Sequence, residues 1–244
     1  MNADKRRSDR TQDAVFAKNK EDIRVHLRLS AVAFVALLTS AAAQDRISVE
    51  DLKVRSSAGD KAATRQLADM YFAGRGGVAQ DFTEAIRWYE QLAKQGDARA
   101  QASVGLMYAR GYGVPKNLEM ARHWWSFAAA QNDPGAQYNL GVLYATGQGV
   151  PLDYKQAAHW LDRAAHRGHV QAQHNLGTLY REGKGVERDP ELGYFWIKVA
   201  ALQGDDVAKA SLADATRGLS AEQVGRADGR ADEWMKQNRE AASK

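Results

Sequence analysis

The stretch "DPGAQYNLGVLYATGQGV" (residues 133–150) contains the pattern that decides the fold. The Asp-Pro pair at its start is typical of a helix N-terminus, because Asp caps the free amides and Pro fits the first helical position. Four apolar residues then recur at helical spacing and share one face: Ala136, Leu140, Leu143 and Tyr144. Gly147 follows, at the place where a helix commonly ends in left-handed backbone. The stretch therefore predicts one amphipathic helix and a tight turn after it.

A second helix is predicted directly downstream. Asp153 is expected to cap its start, and Gln156 completes a capping-box pattern three residues later. Its apolar face consists of five residues: Ala157, Trp160, Leu161, Ala164 and Ala165. Gly168 is expected to end this helix, and Val150 to anchor the loop before it. The two helices are therefore expected to form an antiparallel pair.

The same pattern recurs along the chain, and its tyrosines lie at spacings of 37, 36 and 36 residues. Two aromatic positions mark the four units: Tyr71, Tyr108, Tyr144 and Tyr180 in the first helix, and Trp88, Trp124, Trp160 and Trp196 in the second. A single helix pair cannot bury its apolar face alone, whereas stacked pairs bury a continuous core. We therefore expect an all-α fold, an α-solenoid (superhelix) of about four 36-residue repeats with capping helices at both ends.

The repeated pattern A-x-x-x-L-G-x-x-Y-x-x-G-x-G-V-x-x-D-x-x-x-A-x-x-W-x-x-x-A-A-x-x-G resembles the Sel-one-like repeat, a relative of the tetratricopeptide repeat. The resemblance covers roughly residues 58–212. Four departures leave the helix-pair pattern intact: Gly77 is inserted, Asn117 replaces Asp, Asn132 replaces Gly, and Gly193 replaces Ala. The resemblance implies an adaptor or regulatory role, since members of the family typically scaffold complexes or link signalling across compartments.

The N-terminal region predicts export. Residues 24–43 have a positively charged start, an apolar stretch of ten residues from Leu29 to Leu38, and three alanines before Gln44, which is typical of a secretory signal peptide. Cleavage after Ala43 would place the protein in the periplasm or outside the cell. An uncleaved anchor is the alternative, although a membrane span needs about 20 apolar residues. Residues 1–23 are polar and charged, and we expect them to be disordered.

The ends of the repeat array are expected to be capped. Residues 44–60 are interpreted as an N-terminal cap in which Ser48 begins a short helix, residues 61–212 as the solenoid, and residues 213–244 as a C-terminal capping helix and tail. Ser220 begins a second capping box. The following helix carries one apolar stripe, with the rest of its surface solvated: Val224, Ala227, Ala231 and Trp234.

Composition excludes several classes of function. The net charge is +4, but residues 1–43 hold eight Lys/Arg and five Asp/Glu, which leaves 26 against 25 in the remainder. No basic surface for a nucleic acid is expected in that nearly neutral part. The chain has no cysteine, which excludes disulfides, thiolate metal sites and a thiol nucleophile. We expect a monomer with no stable membrane insertion after signal cleavage.

Candidate catalytic and metal sites have simpler interpretations. Among the clustered histidines, His159 and His166 lie about 10 Å apart along a helix, which is long for two ligands of one ion. We interpret these two, with His169 and His174, as solvated side chains. Four carboxylates after the fourth tyrosine are interpreted as one helix cap and solvated groups: Glu182, Glu187, Asp189 and Glu191. The Gly-x-Gly-Val turns follow helix C-termini, which disfavours a phosphate loop. We therefore predict a non-enzymatic protein without a metal or cofactor.

The candidate binding surface is the face of the first helices opposite their apolar stripe. It consists of two rows whose residues vary between units, and we call it the variable face: Arg65, Ala102, Tyr138 and His174 in one row, and Asp69, Leu106, Val142 and Thr178 in the other. First helices of solenoids line a concave surface that commonly binds peptides. We expect a protein or peptide partner there, and ordinary solvated variation is the alternative. A module for cell-wall glycan or a small ligand is a second possibility, with Tyr138 and Trp125 as stacking platforms if they are exposed.

Overall fold

The computed structural model of the protein describes residues 48–242, with side chains to residue 240. The predicted disordered extension (residues 1–23) and signal peptide (residues 24–43) lie outside the described residues. The chain divides into residues 1–52 and residues 53–244. In the first part, Ser48 Oγ accepts a hydrogen bond from the Asp51 amide (3.0 Å), as expected of a helix N-cap.

Between residues 48 and 242 the structure contains eleven α-helices and no strand. The helices are α1 (Val49–Ser57), α2 (Lys61–Ala73), α3 (Phe82–Lys94), α4 (Ala98–Arg110), α5 (Leu118–Ala130), α6 (Pro134–Thr146), α7 (Tyr154–His166), α8 (Val170–Glu182), α9 (Pro190–Leu202), α10 (Asp206–Ala215) and α11 (Ala221–Ala242). Helices α2 to α9 form four units of two helices each. The helices of a unit pack on each other, and each second helix also packs on the first helix of the next unit. The predicted α-solenoid of stacked helix pairs is confirmed.

Each first helix ends at a glycine with left-handed backbone, at φ values between 64° and 74°: Gly74, Gly111, Gly147 and Gly183. Asn132 stands where other units have glycine, after the second helix, and it adopts the same conformation with φ 69°. The prediction that Asn substitutes for Gly at this turn is confirmed, because Asn tolerates left-handed backbone better than other side chains do.

The capping-box prediction at Asp153 is wrong in one of its two bonds. Its side chain accepts hydrogen bonds from the amides of Lys155 (2.9 Å) and Gln156 (3.0 Å), but its own amide donates to the carbonyl of Tyr144 (3.0 Å). The equivalent bond occurs in the other three units, from Asp81 to Tyr71, from Asn117 to Tyr108 and from Asp189 to Tyr180. This repeated hydrogen bond closes the loop between the two helices of a unit. It uses the backbone amide of the N-cap residue, which is the donor that a capping box would need.

The second glycine of each Gly-x-Gly-Val turn touches the preceding unit. A Cβ on Gly113 would lie 2.3 Å from the carbonyl carbon of Phe82, and one on Gly149 would lie 2.5 Å from Cβ of Leu118. Phe82 and Leu118 are the first residues of α3 and α5. These turns therefore join successive units as well as the two helices of one unit.

Glycine within the first helices permits close packing of the helix pair. A Cβ on Gly105 would lie 2.5 Å from the Trp125 ring, and one on Gly177 would lie 2.6 Å from the carbonyl oxygen of Gly193. The first unit has Ala68 at the equivalent place. The close approach explains why these helices carry glycine despite its poor helix propensity.

A buried glutamine repeats at three unit boundaries: Gln101, Gln137 and Gln173. Each side-chain amide donates to a carbonyl in the last turn of the preceding second helix, in all three cases at 3.1 Å. Each of these carbonyls also accepts the backbone amide three residues later, from Gly96, Asn132 and Gly168. The glutamines therefore join neighbouring units through a second hydrogen bond at each helix end.

Helix α11 caps the array at its C-terminal end, where it packs on α9. Ser220 and Gln223 form the predicted capping box: the Ser220 amide donates to Gln223 Oε1 (2.9 Å), and the Gln223 amide donates to Ser220 Oγ (3.2 Å). Ala227 and Ala231 are fully buried, and Val224 and Trp234 are half-buried. Over residues 48–242, no helix is both long enough and apolar enough to cross a membrane.

Candidate partner-binding surfaces

The first row of the variable face lies at boundaries between units. Arg65 forms an ion pair with Asp97, which caps α4 in the next unit. The Tyr138 ring stacks on the ring of His169, with centroids 4.4 Å apart, and His169 caps α8. These side chains are half-buried, so part of the predicted binding row serves to hold neighbouring units together.

His174, the last member of this row, is also half-buried. Burial lowers the pKa of His174 below its ordinary value, and the Asp205 carboxylate opposes that shift. Its Nε2 lies 3.5 Å from the hydroxyl of Ser211 on α10. His174 therefore lies between the fourth unit and the helix that follows it.

The second row is less occupied by internal contacts. Asp69 accepts a hydrogen bond from the hydroxyl of Tyr89 (2.6 Å), and burial together with this carboxylate raises the pKa of Tyr89 well above its ordinary value. The Thr178 hydroxyl donates to the carbonyl of His174 (3.1 Å). Val142 is half-buried, whereas the Leu106 side chain is 38% exposed. Leu106 is the apolar side chain of the variable face that is most available to a partner.

The proposed stacking platforms are not available to a ligand. Trp125 is 4% exposed, and its indole N–H donates to the carbonyl of Ala102 (3.1 Å). One face of Tyr138 is covered by His169. Glycan binding by these two residues would require both rings to be exposed. The Trp125 ring is buried, because it fills the space beside Gly105.

The interpretation of the histidines as solvated holds for two of the four. His159 and His166 are exposed, whereas His169 and His174 are half-buried. Nδ1 of His169 accepts the Ala172 amide (3.3 Å), a role that Asp plays at the start of the other first helices. Burial lowers the pKa of His169, and Asp133 opposes the shift. Within residues 48–242, no three side chains of ligand type come together in a way that could hold a metal ion.

The carboxylates after the fourth tyrosine have separate roles. Asp189 caps α9, as predicted, and Glu182 pairs with Lys184 (2.7 Å). Glu187 is exposed. Glu191 is not a free solvated group, because both of its oxygens accept hydrogen bonds from Arg226 on α11, at 3.1 and 2.8 Å. This pairing ties the capping helix to the fourth unit, a contact that spacing in the sequence does not reveal.

A groove of about 790 Å³ lies between α7, α9 and α11, and sequence reasoning missed it. We call it the C-terminal groove, and its lining includes Asp162 and His166 of α7, Tyr180 of α8, Leu192, Phe195 and Trp196 of α9, and Arg226, Gly229, Arg230, Glu233, Trp234 and Gln237 of α11. The ring of Trp196 makes edge contacts with His166 (4.9 Å between centroids) and with Trp234 (6.0 Å). The groove thus has an aromatic floor and polar walls.

The sequence carried one signal for this groove. On α11, the lining residues recur at spacings of three, one, three, one and three residues, which is the period of one helix face. This face lies beside the predicted stripe through Ala227 and Ala231. Apart from Trp234, which belongs to that stripe, the face carries arginines, Gly229, Glu233 and Gln237, which the sequence predicts to be solvated. Only the packing of α11 on α9 places them against the aromatic residues.

Comparison with known proteins identifies the repeat. The model of the Sel1 repeat matches residues 61–97, 98–133, 134–169 and 170–205. A protective antigen with an SLR fold from uropathogenic Escherichia coli strains is similar in structure, with 33% identity and a TM-score of 0.70, over 77% of this chain and 40% of that chain. A Sel1 repeat protein from Oxalobacter formigenes is similar with 35% identity and a TM-score of 0.62, over 70% of this chain and 49% of that chain.

The chain thus spans less than half the length of these two solved structures. No curated protein matches it. The four matched repeats coincide with the four helix pairs, and together they cover more than half of the 244 residues. The chain belongs to the Sel1 repeat family.

Proposed function

We propose that the protein is an exported, non-enzymatic scaffold or regulatory adaptor that binds a partner protein or peptide on its variable face. Sel1 repeat proteins are generally protein–protein interaction scaffolds, and the family is a non-catalytic one. The partner's binding energy would come from side chains that differ between units, held in position by helix pairs that pack in a similar way in every unit.

The observation that carries this proposal is the contrast between the two faces of the first helices. The packing face repeats Ala and Tyr at equivalent positions, with Leu, Val or Met between them, whereas one variable position holds Asp69, Leu106, Val142 and Thr178 in successive units. Leu106 remains 38% exposed, and a partner that covered this side chain would gain binding free energy because apolar surface is removed from water. Helical repeat proteins use such extended surfaces to bind protein segments.

Export is proposed from the apolar segment at residues 24–43. The test is N-terminal sequencing of the mature protein from a fractionated cell. A mature chain that begins at Gln44 in the periplasm or the medium supports the proposal. A chain that retains residues 24–43 in the membrane fraction would support an anchor, and one that stays in the cytoplasm would refute export.

Binding on the variable face is tested by crosslinking in the native cell. A photoreactive amino acid is placed at position 106, and the control places it at position 155, where Lys155 is exposed on α7. We expect one dominant protein adduct from position 106 that is absent from position 155. No adduct at position 106, with helical content and export unchanged, would refute this binding surface.

A further inference from the structure

One side of helix α11 lines the C-terminal groove and faces solvent. Six residues of α11 line it, at positions i, i+3, i+4, i+7, i+8 and i+11 counted from Arg226. At 1.5 Å per residue, this wall is about 16 Å long. That length is enough for a short peptide segment to lie along α11, and the volume of about 790 Å³ is several times that of one large side chain.

The floor of the groove suits an apolar anchor. Phe195 and Trp196 are 6% and 3% exposed, and Trp234 and Tyr180 are half-buried at its sides. A Cβ at Gly229 would meet no atom within 4 Å, so the wall has open space at its middle. A bulky apolar side chain placed there would contact aromatic rings and lose its exposure to water, which is the main source of binding energy at such sites.

Most charged groups of the groove have a polar partner, although Glu233 joins no ion pair within residues 48–240. Arg226 and, less strongly, Arg230 lie close enough to Glu191 to lower the pKa of that carboxyl. Arg226 pairs with Glu191 and Glu222, Asp162 with His166 (3.4 Å), and Glu233 accepts a hydrogen bond from Gln237 (2.9 Å). Arg230 lies over the Phe195 ring, 4.8 Å from its centroid, and takes part in none of the ion pairs formed within residues 48–240. Its guanidinium therefore has donors free for a carboxylate.

We propose that the C-terminal groove binds a short segment of a partner protein in which a bulky apolar residue is flanked by Asp or Glu. The apolar side chain enters the space beside Gly229, and the carboxylate pairs with Arg230. The proposal extends the scaffold function proposed above to a second surface, and it rests on that function because both surfaces bind protein. Binding at the groove needs no contact with Leu106.

The test uses a displayed library of random 12-residue peptides, selected on the purified protein. The peptide consensus is then synthesised, and its affinity is measured by fluorescence anisotropy for five proteins: wild type, Gly229→Leu, Arg230→Glu, Gly225→Leu and Leu106→Glu. Gly225 is the matched control, because it lies on α11, is exposed, has no atom within 4 Å of an added Cβ and does not line the groove. Both leucine variants replace glycine within a helix, so neither is expected to weaken the fold.

We expect enriched peptides that combine a bulky apolar residue with Asp or Glu. Their affinity should fall about tenfold or more for Gly229→Leu and Arg230→Glu and stay unchanged for Gly225→Leu. No enrichment, enrichment of basic peptides, or equal affinity for Gly229→Leu and wild type would each overturn the proposal. If the peptides lost affinity only for the Leu106→Glu variant, the groove proposal would be overturned, whereas binding on the variable face would be supported. The two proposals can therefore fail separately.

Discussion

At three unit boundaries, equivalent glutamines differ in how fully their hydrogen bonds are satisfied. Oε1 of Gln101 accepts from Gln131 (2.8 Å), and Oε1 of Gln173 accepts from Gln203 (2.6 Å). The equivalent donor for Gln137 would stand at position 167, where the chain has Arg. Arg167 turns to the Asn132 side chain instead (2.6 Å), and Oε1 of Gln137 is buried without a partner. An unpaired buried acceptor costs stability, so this boundary should be the weakest of the three.

The Arg167→Gln variant should therefore be more stable than wild type. The new amide is expected to donate to Gln137 Oε1, a gain of about 1 kcal/mol, which corresponds to about 2–4 °C in Tm for a domain of this size. Arg163→Gln is the control, since Arg163 also bonds Asn132 (3.1 Å) but is not at the glutamine position. Thermal unfolding by circular dichroism measures both. Equal Tm values for the two variants would contradict this explanation.

His169 should make the stability of the protein depend on pH. Burial lowers its pKa in the folded state, whereas the unfolded chain binds a proton near the ordinary value of about 6.5. The unfolded state therefore binds more protons below that pH, and the free energy of unfolding falls as pH decreases from about 7 to 5. Protonation would also remove the acceptor for the Ala172 amide and put positive charge at a helix N-terminus.

At pH 7 the better N-cap of the His169→Asp variant should be offset by the lost stacking on Tyr138 (4.4 Å between centroids), so the variant and wild type should differ by less than about 1 kcal/mol. The stability of the variant relative to wild type should rise as pH falls to 5, because Asp stays ionised there. Urea unfolding at pH 5, 6 and 7 measures this. His159→Asp, at an exposed position outside the N-cap, should not reproduce the effect. A pH-independent difference between His169→Asp and wild type would show that protonation of His169 does not control the pH dependence of stability.

At the scale of the helices, close approach within each pair depends on glycine. Gly177 on α8 faces the backbone of α9, and a Cβ there would lie 2.6 Å from the Gly193 carbonyl oxygen and 2.8 Å from Ile197 Cγ1. Backbone cannot move aside as a flexible side chain does. The helix pair of the fourth unit must therefore separate to accept any larger residue.

The Gly177→Ala variant should lose about 1–3 kcal/mol of stability through overpacking, although Ala favours a helix by about 1 kcal/mol over Gly. Gly225→Ala on α11 is the matched control, because an added Cβ there meets nothing within 4 Å, and this variant should be slightly stabilised. Chemical denaturation of both variants gives the sign of each effect. Stabilisation of Gly177→Ala to the same extent as Gly225→Ala would contradict the close approach of helices α8 and α9 at Gly177.

The elements themselves follow from the sequence because their signals are local. Asp133-Pro134, Gly147 and the spacing of Ala136 to Tyr144 act within one helix, and they predicted α6 and its ends. What the sequence could not predict depends on contacts across units. The amide of Asp153 bonds Tyr144 rather than Gln156, and Trp125 is buried because Gly105 leaves it room. The C-terminal groove was missed for the same reason, since it exists only where α11 meets α9.

At the scale of the whole molecule, each unit contacts its neighbours in sequence, so stability should be local. Helix α11 packs on α9, where Phe195, Trp196 and Val199 are buried. In the second unit the position equivalent to Val199 is Phe127, which is 47% exposed. The capping helix thus covers apolar surface on the fourth unit that an internal unit leaves open.

Truncation after Gly218 should therefore destabilise the C-terminal end selectively. We expect amides of α8 and α9 to exchange about tenfold faster or more, while those of α2 to α5 keep their protection. Hydrogen exchange followed by mass spectrometry resolves the units. A uniform loss of protection along the array would instead indicate that the four units unfold as one cooperative body.

An affinity measurement tests whether a partner is held by side chains that vary between equivalent units. The partner captured through position 106 is titrated by calorimetry against wild type, Leu106→Glu and Lys155→Glu. We expect the affinity to be about tenfold or more weaker for Leu106→Glu, because a charge replaces a buried apolar contact, and to be unchanged for Lys155→Glu. Equal affinity for Leu106→Glu and wild type would contradict binding on the variable face.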